Sequence, residues 1–162
     1  AALIGDGKVD PSSILPPSTT QFEVRTTKGR LEIQFRPEWG LLAIKKLVLL
    51  AQRKFFDGQL VTIQTDGDLI VGDPSGLGWD GKGRNVPDEM SPHEVLAGSI
   101  ILHRSGRDTA TSRLLITRVD RPELFGRVNL VGRVTKGLEG LDAVVEGDRI
   151  LNIQPAVNSG EK

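Results

Sequence analysis

The chain alternates between two hydrophobic periods. Phe22, Val24, Leu31, Ile33 and Phe35 are apolar at every second position on either side of a Lys28-Gly29 turn. That pattern predicts an antiparallel hairpin with one buried face. Pro37 and Gly40 break the chain, and the period then changes. Leu41, Ile44, Val48, Ala51 and Phe55 fall at helical spacing, with Lys45, Lys46, Gln52 and Arg53 on the wet side. A helix over Leu41 to Lys54 is expected, its basic last turn suiting the helix C-terminus. Asp57-Gly58 and Asp66-Gly67 are turn signals around two short runs, Leu60 to Gln64 and Leu69 to Val71. Further strands are expected at Ser99–His103, Leu114–Arg118, Asn129–Val134 and Arg149–Ile153. Gly137 to Val145 reads as a short second helix, and Pro92 to Leu96 as a helical or irregular piece. Many short strands with two separated helices predict a mainly β chain, a closed antiparallel β-barrel with helices at its ends.

Between Gly72 and Glu89 neither period holds. GDPSGLGWDGKGRNVPDE is a long glycine-rich loop flanked by apolar runs, with Trp79 in its middle. Residues 1–19 contain Pro11, Pro16 and Pro17, which forbid a helix and predict an extended arm. The folded domain is expected over 20–154, with 155–162 a polar, frayed tail. The chain starts Ala1-Ala2 without Met, which fits a processing site and a trimmed chain equally well.

Composition narrows the function classes. A chain of 162 residues suits one domain, and 4% aromatics make the core aliphatic. Lys plus Arg and Asp plus Glu are both 21, so no basic excess points to nucleic acid. The absence of cysteine excludes disulfides, zinc–thiolate sites and a cysteine nucleophile. The longest apolar run, Leu47 to Ala51, is far too short to span a membrane. His93 and His103 are the only histidines and form no ligand pattern, so no metal or other cofactor is expected. The glycine loop runs into Asn85-Val86-Pro87 instead of a helix and lacks a Lys-Ser/Thr pair, which argues against a phosphate cradle. No GxSxG elbow is present.

Four segments give the chain a family resemblance. They are Phe55-Phe56-Asp57-Gly58, Gly72-Asp73-Pro74-Ser75-Gly76-Leu77-Gly78, Val86-Pro87-Asp88-Glu89, and the run Leu130-Val131-Gly132-Arg133-Val134 continued through Gly137 to Asp142. In order and spacing they resemble the landmarks of the cyclophilin-type peptidyl-prolyl isomerases. The likeness covers Phe22 to Ile153. It implies an eight-stranded cyclophilin-like barrel capped by two α-helices. It also implies a proline pocket on the outer face, beside an arginine that weakens the imide resonance. The barrier to be lowered is roughly 18–20 kcal/mol. A fixed guanidinium lowers it by favouring the twisted transition state.

Position by position, the resemblance implies a degenerate site. The family's Phe-His-Arg falls on Val61-Thr62-Ile63, which puts Ile63 where the arginine would be. The segment from Thr65 to Val71 is one residue shorter than the family's, so register there stays open. The pocket glutamine falls on Val71 and a groove asparagine on Arg104. The Ser-Gln-Phe-Phe segment reads Ser112-Arg113-Leu114-Leu115, so Gln becomes Arg113 and the pocket Phe becomes Leu115. Tryptophan becomes Glu123, Leu124 is kept, and histidine becomes Val128. Ile63 offers no donor. The implied function is a non-catalytic binding or structural subunit of a larger assembly with protein partners. The family analogy points to the edge of a chloroplast photosynthetic membrane complex, in the thylakoid lumen. The alternatives are a weak prolyl isomerase or a module that binds proline peptides.

Overall fold

The computed structural model describes residues 20–64, 66–76 and 81–156. The expectations for the arm (1–19), for Trp79 and for the end of the tail (157–162) lie outside the described residues. The elements are β1 (Gln21–Thr26), β2 (Gly29–Phe35), a 3-10 turn (Pro37–Trp39), α1 (Leu41–Gln52), β3 (Thr62–Ile63), β4 (Leu69–Val71), β5 (Ser99–Leu102), β6 (Leu114–Ile116), a second 3-10 turn (Pro122–Leu124), β7 (Asn129–Lys136), α2 (Leu138–Asp142) and β8 (Ile150–Pro155). The eight strands form one antiparallel sheet in the order β3-β4-β6-β5-β7-β2-β1-β8.

The sheet is a half-barrel, and this corrects the expectation of a closed one. Its ends, β3 and β8, do not pair as strands. Leu60 and Arg149, just upstream of each, form an isolated antiparallel bridge. Backbone hydrogen bonds from Val61 to Asp148 (2.8 Å) and from Ile150 to Gln59 (2.9 Å) flank it. The reason is the length of β3. Gly67, at φ 94°, turns the chain back so soon that β3 has only two residues, too few to run along the six of β8.

The helix boundaries also differ from the periodicity. α1 ends at Gln52 because Lys54 takes a left-handed φ of 60°. α2 spans five residues and follows Gly137, where a Cβ would lie 2.5 Å from the carbonyl oxygen of Arg30. The chain forms no helix at 92–96, and Pro155 belongs to β8, not to a frayed tail.

Two apolar layers share the sheet. The larger joins Phe22, Val24, Leu31, Ile33, Phe35, Leu69, Val71, Ile100, Leu102, Leu114, Ile116 and Val131 with Ile44, Leu47, Val48 and Ala51 of α1. This inner cluster is where α1 buries its apolar face. The smaller lies on the other side of β4 to β7 and holds the candidate site.

Near the seam, Asp148 accepts hydrogen bonds from the Val145 amide (2.8 Å), Thr27 Oγ1 (2.8 Å) and Lys28 Nζ (2.9 Å). The Val145 amide, then Lys28, lower its pKa from 3.8 to about 2. A depressed carboxylate stabilises the fold above its unfolded pKa, and that contribution is lost as pH falls through the folded value. Urea midpoints are therefore expected to fall between about pH 4 and pH 2. In Asp148→Asn that part of the slope should be missing. An unchanged pH profile in the variant would refute the assignment.

Candidate functional site

The site is built on strict alternation. In β4, Leu69 and Val71 belong to the inner cluster while Ile70 points the other way; Ile100 and Leu102 flank Ile101 in the same manner, and Leu114 and Ile116 flank Leu115. Register pairs Ile70 with Leu115, Leu115 with Ile101, and Ile101 with Leu130. The result is a lateral apolar row on the outer face, crossing four strands. Val95 completes the cluster, and Trp39, Leu124 and Val128 pack against it as partly buried walls. Thr62, paired with Ile70, extends the row to the sheet edge, where its Oγ1 donates to Gly76 O (3.2 Å).

Of the positions expected from sequence, Leu115, Leu124 and Val128 meet in this cluster. Ile63 and Val71 do not. Both pack with the inner cluster, and the outward residues are their neighbours Thr62 and Ile70. A shift of one residue along a strand moves the side chain to the opposite face. Glu123 is exposed in the Pro122–Leu124 turn at the rim.

Arg113 and His103 stand one step along the outer face from Leu115 and Ile101. The His103 amide donates to Arg113 O (2.9 Å), and Arg113 Nη2 donates to Ser105 Oγ (2.7 Å). Arg113 is buried. Burial, and then the nearby Arg113 charge, lower the His103 pKa and favour the neutral imidazole. Arg104 instead forms an ion pair with Asp88, at the wall of an open cleft of about 750 Å³. Burial pushes the Asp88 carboxyl up. Hydrogen bonds from the Asp108 amide, Asn129 and Arg104 together outweigh it, so the net shift is downward.

An ion pair that sequence reasoning missed holds the rim. Arg121 meets buried Asp68 through Nε and Nη2, both at 3.1 Å. Asp68 Oδ1 also accepts the Arg118 amide (3.2 Å). Hydrogen bonding of the guanidinium to the Asp68 carboxylate is the main cause of the raised Arg121 pKa. This clamp ties the β3–β4 turn to the segment that carries Glu123 and Leu124. Trp39, Ile70, Ile101 and Leu130 were missed as well. For Ile70, Ile101 and Leu130 the signal was present: the strands read as unbroken apolar runs, as strands buried on both faces do.

Among the described residues no group of three or more His, Asp or Glu is placed to hold a metal, and no helix is long and apolar enough to cross a membrane.

An eight-stranded antiparallel half-barrel with an apolar, partly walled row on its outer face defines a cyclophilin fold. The family profile described as "Cyclophilin type peptidyl-prolyl cis-trans isomerase/CLD" matches residues 21–158, and the chain belongs to that family. A peptidyl-prolyl cis-trans isomerase of Helicobacter pylori is 29% identical over 140 residues, covering 83% of this chain and 86% of its own. One from Synechococcus elongatus is 29% identical over 138 residues, with 83% and 95% covered. Peptidyl-prolyl cis-trans isomerase B of Bacillus subtilis is 30% identical over 123 residues, with 74% and 86% covered. The crystal structure of a cyclophilin-type isomerase from Cryptosporidium parvum superposes with a TM-score of 0.79 at 21% identity, over 86% of this chain and 98% of that one. At that identity the structure speaks for the fold alone.

Proposed function

We propose that this domain binds proline-containing segments on the outer apolar row and has lost most of the family's isomerase activity, serving as a binding subunit for protein partners. The observation that carries the reading is the identity of the outward residues at the β3–β4 edge. Thr62 and Ile70 stand there, and neither can donate a charged hydrogen bond to a twisting imide. An apolar floor walled by Leu124 and Val128 is present, so affinity for a proline ring is separable from turnover.

Protease-coupled turnover of a prolyl peptide tests this. Losing one fixed donor to a transition state costs about 10²–10³ in rate. The expected kcat/KM is thus at least roughly a hundredfold below that of the Bacillus subtilis relative. A rate within about tenfold of that relative would overturn the reading. Alanyl-proline, the dipeptide named with a second Cryptosporidium parvum isomerase structure, serves as the binding probe. Its binding should vanish in Leu124→Arg, a substitution at the half-exposed rim.

A second reading, a slow isomerase, has one observation behind it. Arg113 puts a guanidinium on the outer face two residues from Leu115. Residual turnover that disappears in Arg113→Gln would favour it.

A further inference from the structure

Trp39 also lines a cavity of about 220 Å³, together with Gln34, Arg36, Arg133, Val134 and Thr135. Its lining carries two guanidiniums and no carboxylate. Both charges sit against one indole, with Arg36 Cζ 5.2 Å and Arg133 Cζ 5.3 Å from the Trp39 ring centre. Trp39 is itself held by His93, with ring centres 4.6 Å apart. The cationic pair is therefore pre-positioned on a fixed aromatic wall.

The donors are not used up. Arg36 spends Nε on exposed Glu38 (2.8 Å), and its two terminal nitrogens remain. Arg133 donates Nη2 to the Glu94 carbonyl, while its Nε is buried with no acceptor among the described residues. A buried donor of a charged group without an acceptor is costly. Gln34 turns its amide hydrogens to Thr20 Oγ1 (2.7 Å) and Phe35 O (2.9 Å). The guanidiniums are thus the donors that select the ligand.

We propose that the Arg36–Arg133 pocket binds a carboxylate of an acidic peptide segment. Trp39 and Val134 give the pocket an apolar wall, which suits the methylene stem of a glutamate and does nothing for a hydrated inorganic anion. The paired guanidiniums supply the charge-assisted hydrogen bonds that carboxylates favour. The volume admits one side chain, so the pocket recognises a single acidic residue, not an acidic tract. The inference does not depend on the proline row.

The test is a fluorescence and calorimetric titration of the full chain. The probes are a blocked Gly-Glu-Gly peptide, its Gly-Gln-Gly counterpart and inorganic phosphate. Saturable millimolar binding is expected for the glutamate peptide. A gap of at least about tenfold is expected over the glutamine peptide, since a charge-assisted hydrogen bond is worth roughly 1.5–3 kcal/mol. Binding should weaken with salt and fall by a similar factor in Arg36→Gln, at a half-exposed side chain. Trp39→Phe should abolish the fluorescence response while retaining calorimetric binding. Equal binding of both peptides, no binding at all, binding unchanged in Arg36→Gln, or phosphate binding as tight as the glutamate peptide would each overturn the proposal. Alanyl-proline binding should be unchanged in Arg36→Gln, which separates failure here from failure at the row.

Discussion

Gly72→Ala is expected to cost roughly 4 kcal/mol or more, placing it among the exceptional single substitutions. Gly72 ends β4 at φ 94°, and a Cβ there would lie 2.1 Å from the Ser112 carbonyl oxygen and 3.1 Å from the Arg113 Cα. Backbone cannot swing aside as a side chain does. The same residue is tied across the gap, because Ser112 Oγ donates to Gly72 O (2.8 Å) and accepts the Lys82 amide (2.8 Å). Separating Gly72 from Ser112 would therefore release the start of the glycine loop and the Arg113 strand together. Gly67→Ala is the control. Its φ is also 94°, but a Cβ there meets nothing within 4 Å, so only the left-handed strain of about 1–2 kcal/mol should appear. Equal urea midpoints for the two variants would show that the close approach adds nothing.

Asp68→Asn is expected to lose roughly 3–5 kcal/mol, the cost of breaking a buried ion pair from one side. Asp68 is 1% exposed and takes both guanidinium bonds of Arg121. Without the carboxylate, Arg121 keeps only a weaker approach to exposed Asp66 at 3.8 Å and the Asp66 carbonyl at 3.0 Å. The double variant Asp68→Leu/Arg121→Met should be less harmed than Asp68→Asn, because no charge is left without its partner. The clamp also sets where Leu124 stands. Weaker binding of alanyl-proline in a still-folded Asp68→Asn protein would report that displacement. A single variant as stable as the wild type would remove the clamp from the argument.

The fold was legible because two periods were legible. The hairpin and α1 follow from alternation and helical spacing, and the strands near Ser99, Leu114 and Asn129 from short apolar runs, each within about the uncertainty of strand and helix ends. Barrel closure was not legible, since it depends on how far a two-residue strand reaches past the Asp66-Gly67 turn. The candidate site was legible where the landmarks fix register, at Leu115, Leu124 and Val128. Ile63 and Val71 do not join the apolar row, because their side chains pack on the inner side of the sheet. The Asp68–Arg121 and Trp39–Arg133 contacts join residues more than fifty positions apart, and no local pattern announces such pairs.

The place of β1 between β2 and β8 sets a timetable for the ribosome. Of the eight described strands β1 is made first and its second neighbour last, with Glu23 and Gln154 separated by 131 positions. At about 5–20 residues per second, the outer edge of β1 waits on the order of ten seconds for its partner. Glu23 and Arg25 lie on that strand, and their charges discourage a stray chain from pairing with it in the interval. A nascent chain stalled before Ile150 would present that edge to its neighbours, so translation speed just ahead of β8 becomes a determinant of yield.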